Sequence, residues 1–450
     1  MVAFFYALFC GSFLSLQPLI RIAMEKIRVL LLGGGGREHA LAWKMSQSPL
    51  LDHLFVAPGN GGTSEVATNL NFSDSDFDAM KHALIEHRID LVVVGPEAPL
   101  VKGVRAFIEE DVDLQHVKVV GPGTEGAQME GSKSFSKQFM ERHGIPTAAF
   151  GEFTGAELND AKAFLERFDP PYVLKADGLA AGKGVLILDD RSEAEKALEE
   201  MLQGGKFGSA GEKVVIEEFL KGIELSVFIL TDGTNYVLLP EAKDYKRIGE
   251  GDQGLNTGGM GSISPVPFAN ETFMQKVVDR IIEPTVQGWK KDGMDYNGFL
   301  FVGLMAVDGE PFVIEYNCRM GDPETESVMP RIKSDVLELL WKCGVGELEG
   351  VDLEVDERFA TCVMAVSGGY PEAYEKGKQI TGASTSSEDT MLFHAGTKMQ
   401  DGELVSSGGR VIAVTSMGEH MTDALRKSYA KLDELHFDGM YFRKDIGFDL

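Results

Sequence analysis

A chain of 450 residues, 44% of them apolar, is long enough for about three domains with cores of their own. Lys and Arg total 43 against 70 Asp and Glu; the net charge of −27 and a pI near 4.7 argue against nucleic acid or an anionic membrane as partner. Cys10, Cys318, Cys343 and Cys362 form no C-x-x-C pair, so neither a disulfide framework nor a zinc site is expected, and a reducing, cytoplasmic setting is the default.

The first 23 residues, MVAFFYALFCGSFLSLQPLIRIA, are apolar, but no basic segment precedes the run and no small-x-small pattern closes it. Gly11, Ser12, Gln17 and Pro18 interrupt it, which is poor for a spanning helix. Residues 1–23 are read as an upstream extension outside the fold, with Met24 opening the folded chain. An organelle-targeting leader is the alternative, with Arg21 as its one basic residue.

From residue 27, short apolar runs alternate with amphipathic stretches. Strands are expected at 27–32, 53–57, 89–95 and 117–121, with helices at 37–47 and 76–87. Together they predict a doubly wound parallel-sheet α/β domain over residues 24–125. GGGGREHALA (33–42) follows the first strand, yet a G-x-G-x-x-G frame meets Glu38 or His39 at its third glycine. The acid expected after the second strand is also missing, since 57–62 reads APGNGG, and both departures argue against a nicotinamide dehydrogenase, the rival from another class. The two glycine clusters can instead bind one phosphate monoester at a helix N-terminus, or can serve only close helix–sheet packing.

Residues 126–330 form the second section. A helix at 131–143 carries Lys133 and Lys137, and strands and helices alternate to VVIEEF (214–219). LKADGLAAGKGV (174–185) is glycine-rich and carries Lys183, but only three residues separate Gly178 from Gly182, and Gly184 stands where a Walker loop needs a hydroxyl. Its backbone can still wrap a polyphosphate, so the metal must be held elsewhere. Glu217, Glu218 and Glu224, with the backbone of Phe219 and Leu220, can hold an adenine and a ribose diol; a charged turn is the alternative. DYKRIGEGDQGLNTGGMGSISP (244–265) sets Asp244, Lys246 and Arg247 among glycines, charges that suit a small zwitterion, and no regular element is expected over 249–261.

A helix is expected at 270–290, then an antiparallel pair, FLFVGLMAV and FVIEYN, with a turn at Asp308-Gly309. Glu315 and Asn317, two apart in a strand, point to one face and offer the hard oxygens that suit Mg²⁺. Arg319 follows, able to neutralise a transferring phosphoryl group. Residues 331–450 read as an α+β section with strands near 359–367, 391–395 and 410–415.

Eight stretches in order, GGGGREHALAWK, GPEAPL, EGSKSFSKQFM, LKADGLAAGKGV, KRIGEGDQGLNTGGMG, EYNCRMGDPET, HAGTK and GGRV, make the chain resemble the phosphoribosylamine–glycine ligases among ATP-grasp enzymes over residues 24–450. The resemblance implies a three-part fold: the α/β domain, an ATP-grasp core with a mobile lid over about 147–218, and a C-terminal α+β domain. It implies ATP-dependent joining of glycine to 5-phosphoribosylamine through a glycyl phosphate, with Mg²⁺ or Mn²⁺, in a monomer or homodimer.

On this pattern Lys137, Lys175, Gly182, Lys183 and Gly184 meet the ATP phosphates, and Glu217, Glu218, Phe219, Leu220 and Glu224 hold the nucleoside. Glu315 and Asn317 carry the metal. Gly35, Gly36, Asn60, Gly61, Gly62 and Glu97 face the phosphoribosylamine, and Asp244, Lys246 and Arg247 face glycine. Arg319, Lys175 and Asp244 are the expected catalytic residues. Tyr245 stands where the pattern has His, Met320 where it has Phe, and FLFVGLMAV lacks the further acidic metal ligand of many ATP-grasp enzymes. Another ATP-grasp ligase or a dead ATP-binding regulator are the rivals; the first conflicts with the DYKRIGEGD loop, the second with the presence of Glu315, Asn317 and Arg319.

Overall fold

A computed structural model describes residues 26–178, 184–203, 211–384 and 387–450; the apolar leader and the loop residues Gly182 and Lys183 lie outside them. No helix among the described residues is long and apolar enough to cross a membrane.

The apolar runs of the first section become parallel strands. These are β1 (Ile27–Gly33), β2 (Leu51–Pro58), β3 (Thr68–Asn69), β4 (Leu91–Val94) and β5 (Lys118–Val120), in the order β3-β2-β1-β4-β5. The order reverses between β1 and β4, so the loops after these two strands open onto a common crevice. Those loops carry Gly35 and Gly36 on one side and Glu97 on the other, and Gly95 N–H donates to the Leu32 carbonyl (3.1 Å) to hold them together.

The next strands, β6 (Phe150–Thr154), β7 (Tyr172–Ala176), β8 (Val185–Leu188) and β9 (Lys213–Glu217), make an antiparallel sheet ordered β6-β9-β7-β8. The helices Leu158–Phe164 and Arg191–Leu202 cover it with a small core of their own, including Leu165, Leu174, Leu198, Val214 and Ile216.

The remaining strands are β10 (Ile223–Thr231), β11 (Tyr236–Asp244), β12 (Arg247–Gly249), β13 (Gln253–Asn256), β14 (Gly261–Ser264), β15 (Gly298–Val307), β16 (Glu310–Asn317), β17 (Phe359–Val366), β18 (Thr390–His394), β19 (Thr397–Gln400), β20 (Glu403–Ser406) and β21 (Arg410–Gly418). An eight-stranded sheet, β16-β15-β10-β11-β14-β17-β21-β18, runs unbroken from the second section into the third through the β14–β17 pairing. The Asp308-Gly309 turn has positive φ at both residues, 50° and 79°, as a two-residue hairpin of this hand needs.

Two expectations are corrected. The stretch 249–261 is not irregular: β12 and β13 pair as an antiparallel hairpin, and β14 begins at Gly261. Its strands are short, polar and without alternation, so periodicity could not reveal them; Gly251 and Asp252, both at positive φ (65° and 53°), make the turn. The helix expected over 270–290 is two helices, Glu271–Val277 and Glu283–Asp292, joined by a π-helical turn at Val278–Ile282. Pro284, which has no N–H to donate, follows that turn.

Candidate active site

The helix Lys133–Arg142 starts on Ser132, whose hydroxyl accepts from Phe135 N–H (3.1 Å). It directs Lys137 under the antiparallel layer, where Lys175 arrives from β7 and Glu217 from the end of β9. Lys137 Nζ and Lys175 Nζ each lie 2.9 Å from a different oxygen of Glu217, and all three residues are buried. Lys137 Nζ also donates to Thr147 Oγ1 (2.7 Å) and Lys175 Nζ to the Ile314 carbonyl (3.2 Å). Burial pushes the Glu217 carboxyl up, but the two ammoniums outweigh it and hold it below the usual range. Burial, with Glu217 opposing, brings Lys137 down to about 8. The arrangement is two cations on one anion, with net positive charge available to a phosphate.

The start of the glycine-rich loop is tied to the same helix. Asp177 accepts from Ser134 N–H (2.7 Å) and Ser132 Oγ (3.0 Å), and Lys133 Nζ donates to the Gly178 carbonyl (3.2 Å). Gly184 closes the far end, its carbonyl accepting from Ala176 N–H (2.8 Å). Beyond Glu217 the chain turns outward: Glu218 is exposed and its N–H donates to Ala149 O (2.8 Å), Phe219 is 37% exposed and Leu220 half-buried.

Glu224 on β10 pairs with Lys246, which also lies 3.6 Å from Asp244 at the end of β11. Burial raises the Asp244 carboxyl, with Lys246 opposing and Glu224 and Glu315 reinforcing. Arg247 turns to its own hairpin, donating to Gly254 O (2.9 Å). Glu324, behind Asp244, is buried and accepts from Ser226 Oγ (3.3 Å); burial and the Asp244 charge push it up to about 7.

A carboxyl raised in the folded state favours folding while protonated, and that contribution is lost as pH rises through about 7. Glu324→Gln is therefore expected to be more stable than the parent at pH 8 by about 1–3 kcal/mol and to lose this advantage by pH 5. Melting curves at both pH values check it; an equal difference at both would refute it.

At the end of β16, Glu315 and Asn317 share a face as their spacing predicts, with Asn317 Nδ2 3.5 Å from Glu315 Oε1. β15 places Gly303 opposite Glu315, which leaves room there and supplies no acid. The strand ends at Asn317, so Arg319 lies beyond it, and Glu130, which the sequence gives no reason to single out, holds it. Glu130 accepts from Arg319 Nη2 (2.7 Å) through one oxygen and from Cys318 N–H (2.8 Å) through the other. Arg319 Nε, buried and without a hydrogen bond, lies 3.6 Å from Glu97 of the first domain. Glu130 opens EGSKS, where only its lysines drew notice; no local signal marks an acid whose partners are 188 and 189 residues away.

In the first domain, Gly35 N–H donates to Glu38 Oε2 (2.6 Å), and Arg37 bridges Glu38 Oε1 (2.6 Å) and the Met320 carbonyl (3.1 Å). Gly36 is packed so closely on Glu326 that a Cβ would sit 2.3 Å from its Oε1. Asn60 gives its Nδ2 to His394 O (2.6 Å) and Gly34 O (3.1 Å), while its Oδ1 accepts from Gly62 N–H (2.8 Å). Gly61 N–H donates to Thr397 Oγ1 (3.2 Å). Asn60 and Gly61 thus shape the crevice and join it to β18 and β19 through hydrogen bonds within the protein. His39 Nδ1 accepts from His394 N–H (2.8 Å), and burial lowers both imidazoles, to about 3 and about 4, so they are neutral at pH 7.

Glu315, Asn317 and Arg319 thus lie between the Lys137–Lys175–Glu217 cluster and the crevice that carries Glu97. Cys318, Cys343 and Cys362 are buried free thiols. Models of phosphoribosylglycinamide synthetase match in three consecutive stretches: its N domain over residues 27–130, its ATP-grasp domain over 131–325 and its C domain over 360–449. The chain belongs to the phosphoribosylglycinamide synthetase family. It is 46% identical over 426 residues to the phosphoribosylamine–glycine ligase of Escherichia coli O157:H7, a match covering 94% of this chain and 98% of that one. It is 47% identical to the bifunctional purine biosynthetic protein PUR2,5 of Pichia angusta and spans 54% of that protein's length. The crystal structure of the Thermotoga maritima phosphoribosylamine–glycine ligase superposes with a TM-score of 0.82 at 38% identity, covering 93% of this chain and all (100%) of that one. This member of the family is an ATP-grasp ligase, with the mixed α/β architecture expected of one.

Proposed function

We propose that the protein joins glycine to 5-phosphoribosylamine, a step of purine biosynthesis. ATP phosphorylates the glycine carboxylate, the amine attacks the acyl phosphate, and ADP and phosphate leave as the amide forms. The observation that carries this is the position of Arg319, held by Glu130 beside Glu315 and Asn317 and 3.6 Å from Glu97 of the first-domain crevice. One guanidinium thereby sits between a phosphoryl site and a place for the attacking amine.

A carboxylate is a poor electrophile, so the protein's task is positioning and charge neutralisation. Lys137 and Lys175 are the phosphate cations, released from Glu217 in part as phosphate arrives. Glu217 to Leu220 and Glu224 line the nucleoside, with Gly184 at the far end of the phosphate loop; Gly182 and Lys183, expected on the phosphates, lie outside the described residues. Glu315 and Asn317 offer hard oxygens on one face and fit Mg²⁺ or Mn²⁺, which when bound neutralises phosphate charge. Asp244 and Lys246 hold the two ends of glycine, and Arg247 keeps their hairpin closed. The glycine loops and Glu97 receive the phosphoribosylamine, with Asn60 shaping the loop. Closure of the layer over 147–218 excludes water from the acyl phosphate. The three parts act as 24–125, 126–330 and 331–450, in a cytoplasmic monomer or homodimer.

ADP release measured with ATP, Mg²⁺ and glycine, with and without freshly made phosphoribosylamine, tests the assignment. Release that requires both substrates is expected; release indifferent to phosphoribosylamine refutes it. Glu315→Gln is expected to raise the Mg²⁺ concentration for half-maximal rate at least about tenfold. A metal titration of that variant with an unchanged midpoint would remove Glu315 from the metal site.

A further inference from the structure

We propose that the C-terminal segment, through Arg443, holds the β12–β13 hairpin in its working position and so sets the affinity for the amino-acid substrate. This rests on the reading above that Asp244, Lys246 and their loop face glycine.

The hairpin has little to hold it by itself. β12 is half-buried, β13 is exposed along its length, and their pairing has a register shift between Arg247 and Gly249. A two-stranded ribbon of this size is marginal in water. Its order comes from one side, from residues 441–449. Arg443, whose side chain is 0% exposed, donates through Nη1 to Asp252 Oδ1 (2.6 Å) and to the Arg247 carbonyl (3.2 Å). Its Nε and Nη2 donate to the two oxygens of Asp445 (2.8 and 2.9 Å), and Asp445 in turn accepts from Gly251 N–H (2.7 Å). Tyr441 Oη donates to Ile248 O (3.0 Å). The tail therefore touches Arg247, Ile248, Gly251 and Asp252, that is, the first strand and the turn.

The same tail grips the residue between the two substrate charges. Tyr245, where the family pattern has His, is 1% exposed and donates its hydroxyl to Asp449 Oδ1 (2.9 Å). Asp449 also pairs with Lys243 (3.1 Å), whose ammonium lies 4.1 Å from the centre of the Tyr245 ring, and the Arg443 guanidinium lies 5.4 Å from that ring. Asp244 and Lys246 flank Tyr245 in the chain, so fixing its ring and backbone fixes where their charges point. A loop ordered in advance spares the substrate the entropy of ordering it, and loosening it weakens binding without touching the reacting atoms. Arg443 is thus a positioning residue.

Steady-state kinetics of the full chain test the proposal with Arg443→Lys, Asp252→Asn and, as a marker of the site, Asp244→Asn. Lysine keeps the buried charge and loses the fork, while Asp252 is 43% exposed and its Asn variant tolerates the positive φ. Arg443→Lys is expected to raise KM for glycine about tenfold and Asp252→Asn about threefold, with kcat and KM for ATP within about twofold of the parent. If both variants keep the parental KM for glycine while Asp244→Asn raises it, the positioning proposal fails and the substrate reading stands. If Asp244→Asn also leaves it unchanged, the reading of the loop fails. A parallel fall in kcat and rise in every KM would make Arg443 a general fold contact and overturn the proposal. Should Arg443→Lys not fold, Asp252→Asn decides alone.

Discussion

Arg319→Ala is expected to lower kcat by about 10²–10³-fold while KM for ATP changes little; the melting temperature should fall as well, because the buried Glu130 loses its partner. The guanidinium lies between Glu130 and Glu97 of the first-domain crevice, and its buried Nε has no hydrogen-bond partner within the protein. An unpaired donor in a water-poor site is matched when charge develops on a transferring phosphoryl group, so its removal falls on kcat rather than on binding. Arg319→Lys should recover only part of the rate, because an ammonium cannot keep the Glu130 bond and reach the phosphoryl group together. Glu130→Gln, which keeps the shape and removes the charge, should cost about tenfold in kcat. Rates of Arg319→Ala within about tenfold of the parent would take the residue out of the chemistry.

Glu217→Gln is expected to destabilise the protein by about 3–5 kcal/mol. Lys137 and Lys175 are 2% and 5% exposed at their side chains, and both 2.9 Å pairs end on this one carboxylate. Without it two buried ammoniums face each other, which costs far more than a surface pair would. The loss should depend on pH with a definite sign. Lys137 already sits below its ordinary 10.5, at about 8, so the folded state binds its proton less tightly than the unfolded chain does. Stability from this group therefore rises as pH climbs from about 8 to 10.5, and the variant should show a steeper rise that begins at lower pH. Saturating MgATP should restore part of the melting temperature, since phosphate replaces the missing anion. A variant as stable as the parent at pH 7 would show that the pair contributes nothing to the fold.

The expected strands and helices that matched are those whose pattern is set by burial on both faces or along one stripe. β1 and β4 lie in such runs, and so do β15 and β16, because a continuous apolar run bounded by glycine leaves few alternatives. The hairpin β12–β13 was not legible for the converse reason: its strands hold no apolar alternation, and its order is supplied by Arg443, Tyr441 and Asp445 almost two hundred residues later in the chain. The same holds at the site. Glu315 and Asn317 could be paired from a spacing of two, since strand geometry alone places them on one side. Glu130, Glu324 and Arg37 could not, because their partners are remote and nothing local distinguishes a buried acid from a solvated one.

By itself the sequence determined the motif order and the residue types it offers for phosphate, metal and glycine, and hence the family. Local spacing and periodicity are properties of the chain, so they survive without coordinates. Only the tertiary structure decided which charges neutralise one another. It put Glu217 between two lysines, Arg319 between Glu130 and Glu97, and Asn60 in the joint with His394 rather than open to the crevice. Charge pairing depends on distance and burial across the fold, and a one-dimensional pattern contains neither.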